Sequence, residues 1–205
     1  MLVKMLPVGF LGTNCYIVTD EETLKCAIID PGADSNNILD YVESNKLSAE
    51  VIFLTHGHFD HILALEAVME ATGAPTYMSK QDSFMSGKPN NPLDFANNPG
   101  IHWCSEGDSI AVGNLKIVVM ETPGHSPGSL TLMCESALFT GDTLFRDSCG
   151  RTDLEGGNMD TLLMSLRRLA ALEGDYEVYP GHMEASTLDR ERRFNYYVRL
   201  ALGDS

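Results

Sequence analysis

The sequence predicts a mixed α/β (α+β) fold in which sheets are covered by helices. Three observations predict it. Short apolar segments rich in Val and Ile share the chain with amphipathic helical stretches, and the two alternate irregularly, with strands dominating first. No G-x-G-x-x-G follows the first strand, and no G-x-x-x-x-G-K-[ST] occurs anywhere. A doubly wound nucleotide-binding fold would need regular strand–helix units and one of those loops, so it is set aside.

Along the chain, Leu2–Val8, Cys15–Thr19 and Lys25–Ile29 read as strands, and Asp30-Pro31-Gly32 stops the third sharply. Ile38, Leu39 and Val42 recur at helical spacing within Ser35–Asn45, with Asp34 or Ser35 placed to cap the start. Val51–Leu54 is a buried strand by composition, and His61–Thr72 an amphipathic helix ended by Gly73. The stretch Ser86–Gly107, with Pro89, Pro92 and Pro99 among several Asn and Gly, is expected as a long irregular excursion. Ile110–Val112, Leu115–Met120, Ser129–Met133 and Ala137–Thr140 are strands again. Met159–Leu172 is expected as a helix, Tyr176–Tyr179 as a strand and Leu188–Leu202 as a basic closing helix. No repeat or low-complexity tract interrupts them.

Composition narrows the class. The 205 residues, 43% apolar and 21% charged, carry no composition shift that marks a boundary, so one domain over 1–205 is expected. A chain of this length buries roughly 70% of its unfolded surface, so folding needs no disulfide or structural metal. A bound metal would then be there for function. The formal net charge of −15 repels phosphate backbones and anionic lipid, which disfavours nucleic-acid and membrane partners. Five cysteines without a C-x-x-C pair fit neither a disulfide framework nor a zinc ribbon, and a reducing cytoplasm is expected. Pro7, Gly9, Gly12 and Asn14 break up the apolar start, which reads as strands rather than a signal peptide. No apolar run approaches the ~20 residues of a membrane span.

The chemistry lies where the strands end. After Val51–Leu54 comes Thr55-His56-Gly57-His58-Phe59-Asp60-His61. Histidines at i and i+2 can project to one side of an extended backbone, and Gly57 lets that backbone bend. Asp60 and His61, expected at the start of the next helix, face the same spot from elsewhere. Three further strands exit through glycine onto one metal-competent side chain each: Gly124-His125, Gly141-Asp142 and Gly181-His182. Alone, each is an ordinary turn residue. Together they place five of the six histidines at strand exits, which chance does not readily produce. Imidazole and carboxylate suit zinc, iron and manganese alike. His102 stands outside the pattern and reads as a surface or packing residue.

The pattern His56-x-His58-x-Asp60-His61, followed by His125, Asp142 and His182, resembles that of the metallo-β-lactamase superfamily over nearly the whole chain. The resemblance implies a four-layer αββα sandwich with two divalent metals at one edge, zinc, iron or a mixture. By the same resemblance, His56, His58 and His125 hold the first metal and Asp60, His61 and His182 the second. Asp142 bridges them, and Asp30 supports the ligands from behind. A hydroxide held by the metals would be the nucleophile, with Asp60 and Asp142 acting as ligands rather than as an acid/base pair.

Within the superfamily, true β-lactamases replace the last His of the first motif or place a Cys among the second-site ligands. His61 and the positions of the five cysteines therefore argue against antibiotic hydrolysis. The stretch from Gly141 to Asp153 resembles the compact relatives of glyoxalase II, the hydroxyacylglutathione hydrolases. That implies a small-molecule thioester substrate such as S-lactoylglutathione, whose thiolate leaves without a strong general acid because a free thiol has a pKa near ~8.5. Full-length glyoxalase II carries a further helical domain that grips glutathione, where this sequence continues only to one helix. Persulfide dioxygenases share Gly150-Arg151-Thr152-Asp153 but use one iron and follow it with an aromatic residue, where Leu154 stands here. That iron enzyme is the alternative reading, followed by a lactonase and a non-catalytic metal-binding module. Arg151 is expected to contact substrate, since a Lys contact occupies this place in the glyoxalase II pattern. The competing expectation is an exposed Arg paired with Asp153 or Glu155.

Overall fold

The structure, a computed structural model, describes residues 1–87, 91 and 93–203. In the first half, β1 (Leu2–Val8), β2 (Thr13–Asp20), β3 (Lys25–Ile29), β4 (Ser48–Phe53), β5 (Thr76–Met78) and β6 (Ile101–Trp103) form one sheet in that order. The strands β1 to β3 are antiparallel, and β3 to β6 run parallel. Parallel neighbours need crossovers, and α1 (Ser35–Ser44) and α2 (Leu65–Thr72) supply the first two.

The second half builds a second sheet from β7 (Ser109–Val112), β8 (Leu115–Glu121), β9 (Leu130–Cys134) and β10 (Ala137–Gly141). A ribbon of β11 (Leu144–Phe145) and β12 (Ser148–Cys149) and the helix α3 (Met159–Ala170) come next. Then β13 (Glu177–Pro180) joins parallel to β10, β14 (Ser186–Thr187) closes the edge, and α4 (Leu188–Phe194) and α5 (Tyr196–Leu202) end the described chain.

Side chains alternate across each strand, and that alternation assigns the layers. In β2, Cys15 and Ile17 face α1 and α2, whereas Tyr16 and Val18 face the other sheet. The strand β4 repeats this, with Ile52 toward the helices and Val51 and Phe53 inward. In β10, Phe139 points inward while Leu138 meets Leu162, Leu166 and Leu169 of α3. Helices, sheet, sheet and helices result, the αββα sandwich that the resemblance implied. No helix among the described residues is long and apolar enough to cross a membrane.

Several expectations are corrected. The helix expected from His61 begins only at Leu65, after a 3-10 turn over Phe59–His61. The cause is the Asp30-Pro31-Gly32 turn: Leu63 and Ala64 donate their N–H groups to Gly32 O at 3.2 Å and Pro31 O at 3.0 Å rather than along the helix. Gly32 is required there, since a Cβ would lie 2.0 Å from Asp60 O. Asp34 does not cap α1 with its side chain; its carboxylate accepts from Gly9 N at 2.8 Å. The expected excursion 86–107 contains β6, which pairs with the equally unforeseen β5; Pro89 and Pro92 lie outside the described residues. The closing helix is two helices, broken at Asn195, which caps α5 by accepting from Tyr197 N and Val198 N. His102 stacks on Tyr77 with ring centroids 5.3 Å apart, a packing role.

Candidate metal centre

Topology explains why the strand exits meet. The strand β8 is antiparallel to β9, β9 is antiparallel to β10, and β10 is parallel to β13. The C-terminal ends of β8, β10 and β13 therefore share one edge, and deliver His125, Asp142 and His182 there. The facing sheet brings His56, His58, Asp60 and His61 from the end of β4, held in register by Leu130 N donating to Thr55 O at 2.8 Å. Gly181 lets the last loop close, because a Cβ would lie 2.2 Å from Asp142 Oδ1. All seven expected ligands converge.

Among the described residues, three groups bring one donor atom each within 4.8 Å of one another: His56 with His58 and His125, Asp60 with His61 and His182, and His56 with His61 and Asp142. In the first, His58 Nδ1 and His125 Nε2 stand 2.8 Å apart. In the second, His182 Nε2 is 3.2 Å and His61 Nε2 3.6 Å from Asp60 Oδ2. Asp142 lies between the two: Oδ1 is 3.5 Å from His61 Nε2, and Oδ2 is 3.5 Å from His125 Nε2 and 3.6 Å from His182 Nε2.

The donor set suits divalent metal by a direct test. His56 Nε2, His61 Nε2 and Asp142 Oδ1 are buried with no hydrogen-bond partner, although each aims into the cluster. A buried unpaired polar atom costs about 1–3 kcal/mol, and coordination removes that cost. The far nitrogens are already occupied. His61 Nδ1 is 2.9 Å from Asp30 Oδ2, and His125 Nδ1 donates to Arg151 O at 2.8 Å. Asp30 also accepts from Thr55 N at 2.7 Å and Thr55 Oγ1 at 2.6 Å, so its buried carboxylate joins the His61 ring to the residue before His56.

Charge divides the two groups. Burial, with four neighbouring imidazoles adding to it, pushes His56 well below the ordinary histidine pKa. Burial would lower His61 as well, but Asp142, Asp30 and Asp60 together overrule it and raise His61 to about 9. Burial would raise Asp60; the His182 hydrogen bond, the His61 charge and Thr13 hold it below the usual carboxylate range instead.

Sequence reasoning missed three supporting residues. Thr13 Oγ1 donates to Asp60 Oδ2 at 3.0 Å. The buried Asn14 side chain donates to Pro180 O at 3.0 Å and Met183 O at 2.8 Å, gripping the loop on both sides of His182. Asp82, fully buried, accepts from Gly57 N at 2.9 Å, Gly128 N at 2.6 Å and Ser126 Oγ at 2.8 Å, joining the His56–His58 loop to the His125 loop. A polar pair opening an apolar strand was the available signal for Thr13 and Asn14. For Asp82 it was Ser79-x-x-Asp82, the pattern that starts a helical turn, and Ser79 does cap one.

Five of the ligands, His58, Asp60, His125, Asp142 and His182, floor a cleft of about 720 Å³. Arg151 lines its rim, exposed, with Nε 2.6 Å from Asp153 Oδ1 and Nη2 2.7 Å from Oδ2. Of the two expectations for this residue, the pair with Asp153 is the one that forms, and Arg151 reaches the metal ligands through its backbone carbonyl.

Residues 8–182 match the sequence profile of the metallo-beta-lactamase superfamily. The chain belongs to that superfamily. Members of the superfamily are mostly hydrolytic metalloenzymes. An uncharacterized protein of Aquifex aeolicus is 39% identical, over 97% of each chain. The hydroxyacylglutathione hydrolase GloC of Haemophilus influenzae is 31% identical, over 97% of this chain and 98% of its own. Among solved structures, BLEG-1, a B3 metallo-beta-lactamase, superposes with TM-score 0.87 at 31% identity, covering 96% of this chain and 99% of that one. ETHE1 from Myxococcus xanthus gives 0.82 at 31% identity, over 96% and 84%. TTHA1623 in a di-iron-bound form gives 0.81 at 32% identity, over 95% and 100%. Superfamily members of differing name therefore resemble this chain along nearly its full length, one of them in a di-iron-bound form.

Proposed function

We propose that the protein is a dinuclear metal-dependent thioester hydrolase of the glyoxalase II type, acting on 2-hydroxyacyl thioesters such as S-lactoylglutathione. The observation that carries the reading is the complete seven-residue donor set, with three buried donor atoms left unpaired within it. Similarity to the Haemophilus hydrolase over nearly the whole chain supports the choice of thioester.

His56, His58 and His125 would hold one metal, Asp60, His61 and His182 the other, and Asp142 both. Zinc, iron or a mixture fits these donors. Bound there, the metals would supply a water of lowered pKa and a Lewis acid for the thioester carbonyl. The protein's own part is positioning. Asp30 sets the His61 ring so that Nε2 faces the centre, the Arg151 carbonyl does the same for His125, and Asn14 fixes the His182 loop. No side chain needs to protonate the leaving group, because a thiolate departs unaided near neutral pH. Arg151 would serve an anionic substrate only by exchanging Asp153 for the substrate's carboxylate.

A second reading, a mononuclear iron persulfide dioxygenase, draws on the likeness to ETHE1 and on the shared Gly150-Arg151-Thr152-Asp153. One experiment separates the readings. Protein purified without added metal, then loaded with zinc or iron, is analysed for metal content and assayed on a thioester panel, a persulfide with oxygen monitoring and a β-lactam. About two metals and chelator-sensitive thioester hydrolysis are expected. A ceiling of one iron with oxygen uptake supports the dioxygenase, and β-lactam turnover without thioester turnover overturns the proposal.

A further inference from the structure

We infer that the cleft takes a thioester whose non-reacting part is a large, uncharged, apolar group, and that glutathione is not the carrier it favours. The reaction in this inference rests on the thioesterase reading; the binding preference does not.

Above the ligands, the cleft is walled by Leu11, Phe84, Met85, Phe145, Leu154 and Met183. They arrive from five separate segments: the β1–β2 turn, the 3-10 turn before residue 86, the β11–β12 ribbon, the loop after Arg151 and the loop after His182. Leu11 is 48% exposed, Leu154 39% and Met183 59%. Single exposed apolar side chains are ordinary, but several convergent ones around a cavity mark a ligand site. The wall is continuous with the floor, since His58, Asp60, His125, Asp142 and His182 line the same cleft. A group that covers the wall therefore belongs to a molecule that reaches the donors.

Charge points the same way. Arg151 is the one guanidinium or ammonium group among the described lining residues, and both arms of its fork are taken by Asp153 at 2.6 and 2.7 Å. Glutathione brings two carboxylates. Seating one on Arg151 means breaking a two-pronged pair, in a protein whose net charge is −15. An uncharged apolar group meets no such competitor and gains by covering the wall.

The apolar group can sit on the thiol or on the acyl side, and the substrates distinguish them. Three are compared on metal-loaded protein: the lactate thioester of benzyl mercaptan, the mandelate thioester of mercaptoethanol, and S-lactoylglutathione. At least one apolar substrate is expected to show a KM about tenfold or more below that of S-lactoylglutathione. The lowest KM for S-lactoylglutathione overturns the inference. If no thioester is turned over, the thioesterase reading fails, and binding alone then decides the inference. Calorimetry of benzyl propyl sulfide against S-propylglutathione, which cannot be hydrolysed, should show the benzyl compound bound about tenfold or more tightly. Equal or reversed affinities overturn it. Leu11→Asp and Leu154→Asp, both at exposed positions, should weaken the benzyl sulfide about tenfold with bound metal unchanged. Unchanged affinity in both variants also overturns it.

Discussion

The two halves of the metal centre are built from similar parts but prepared differently. The His56–His58–His125 half is made of imidazoles alone, supported by the Arg151 carbonyl on His125, Thr55 Oγ1 3.1 Å from His56 Nδ1, and the Asp82 carboxylate tying Gly57 N to Gly128 N. The Asp60–His61–His182 half has its own carboxylate, a second carboxylate behind His61, and side-chain clamps from Thr13 and Asn14. Burial keeps His56 neutral and ready for metal, whereas the surrounding carboxylates keep a proton on His61. His56 carries no competing proton, whereas His61 holds one that metal must displace. Such a division teaches that equal ligand numbers do not imply equal loading.

The comparison breaks most completely at Asp142, which faces both halves. Asp142→Ala should weaken metal binding in both, by more than the ~10–100-fold seen when only a supporting residue is lost. Metal content after dialysis checks this, and a variant keeping one site at full affinity would show that Asp142 serves a single half.

Asn14→Ala should weaken the second half by about 10–100-fold while sparing the first. Competition with a chelator of known affinity, read in two phases, tests it; parallel losses in both phases would erase the distinction. In the first half, Asp82→Ala leaves Gly57 N, Gly128 N and Ser126 Oγ without their acceptor. It should cost about 2–4 kcal/mol of stability, measured by denaturant unfolding of metal-free protein.

Acidity sharpens the contrast. Below pH 9 His61 is protonated in the metal-free protein, so metal entering the second half releases that proton. Its affinity should fall about tenfold per pH unit as the pH drops from 9 toward 7, while the His56 contribution stays flat over that range. Chelator competition at three pH values measures both, and identical slopes would contradict the assignment.

The smallest effect is expected at Arg151. Its side chain lies outside both halves, so Arg151→Ala should keep metal content and change kcat/KM toward S-lactoylglutathione by less than about tenfold. A larger loss would make it the substrate contact that the glyoxalase II pattern suggests.

Residues alone determined the alternation of strands and helices and the strand exits at His56, His125, Asp142 and His182. These were legible because each is local: a run of apolar residues and then a donor within a few positions, with a glycine just before His125, Asp142 and His182 and just after His56. Tertiary structure decided what local pattern does not encode. Leu63 and Ala64 gave their N–H groups to a turn some thirty residues earlier in the chain, so the helix after His61 started late. Asn195 broke the last helix because its amide donates to Phe145 O at 3.2 Å and Ser148 O at 2.9 Å, and its side-chain oxygen starts α5. Asp82 and Asn14 found their roles only when distant loops closed on them. A ligand announces itself by its type and its place at a strand exit; a supporting residue is defined by the partner it meets, and that partner is set by how the two sheets face each other.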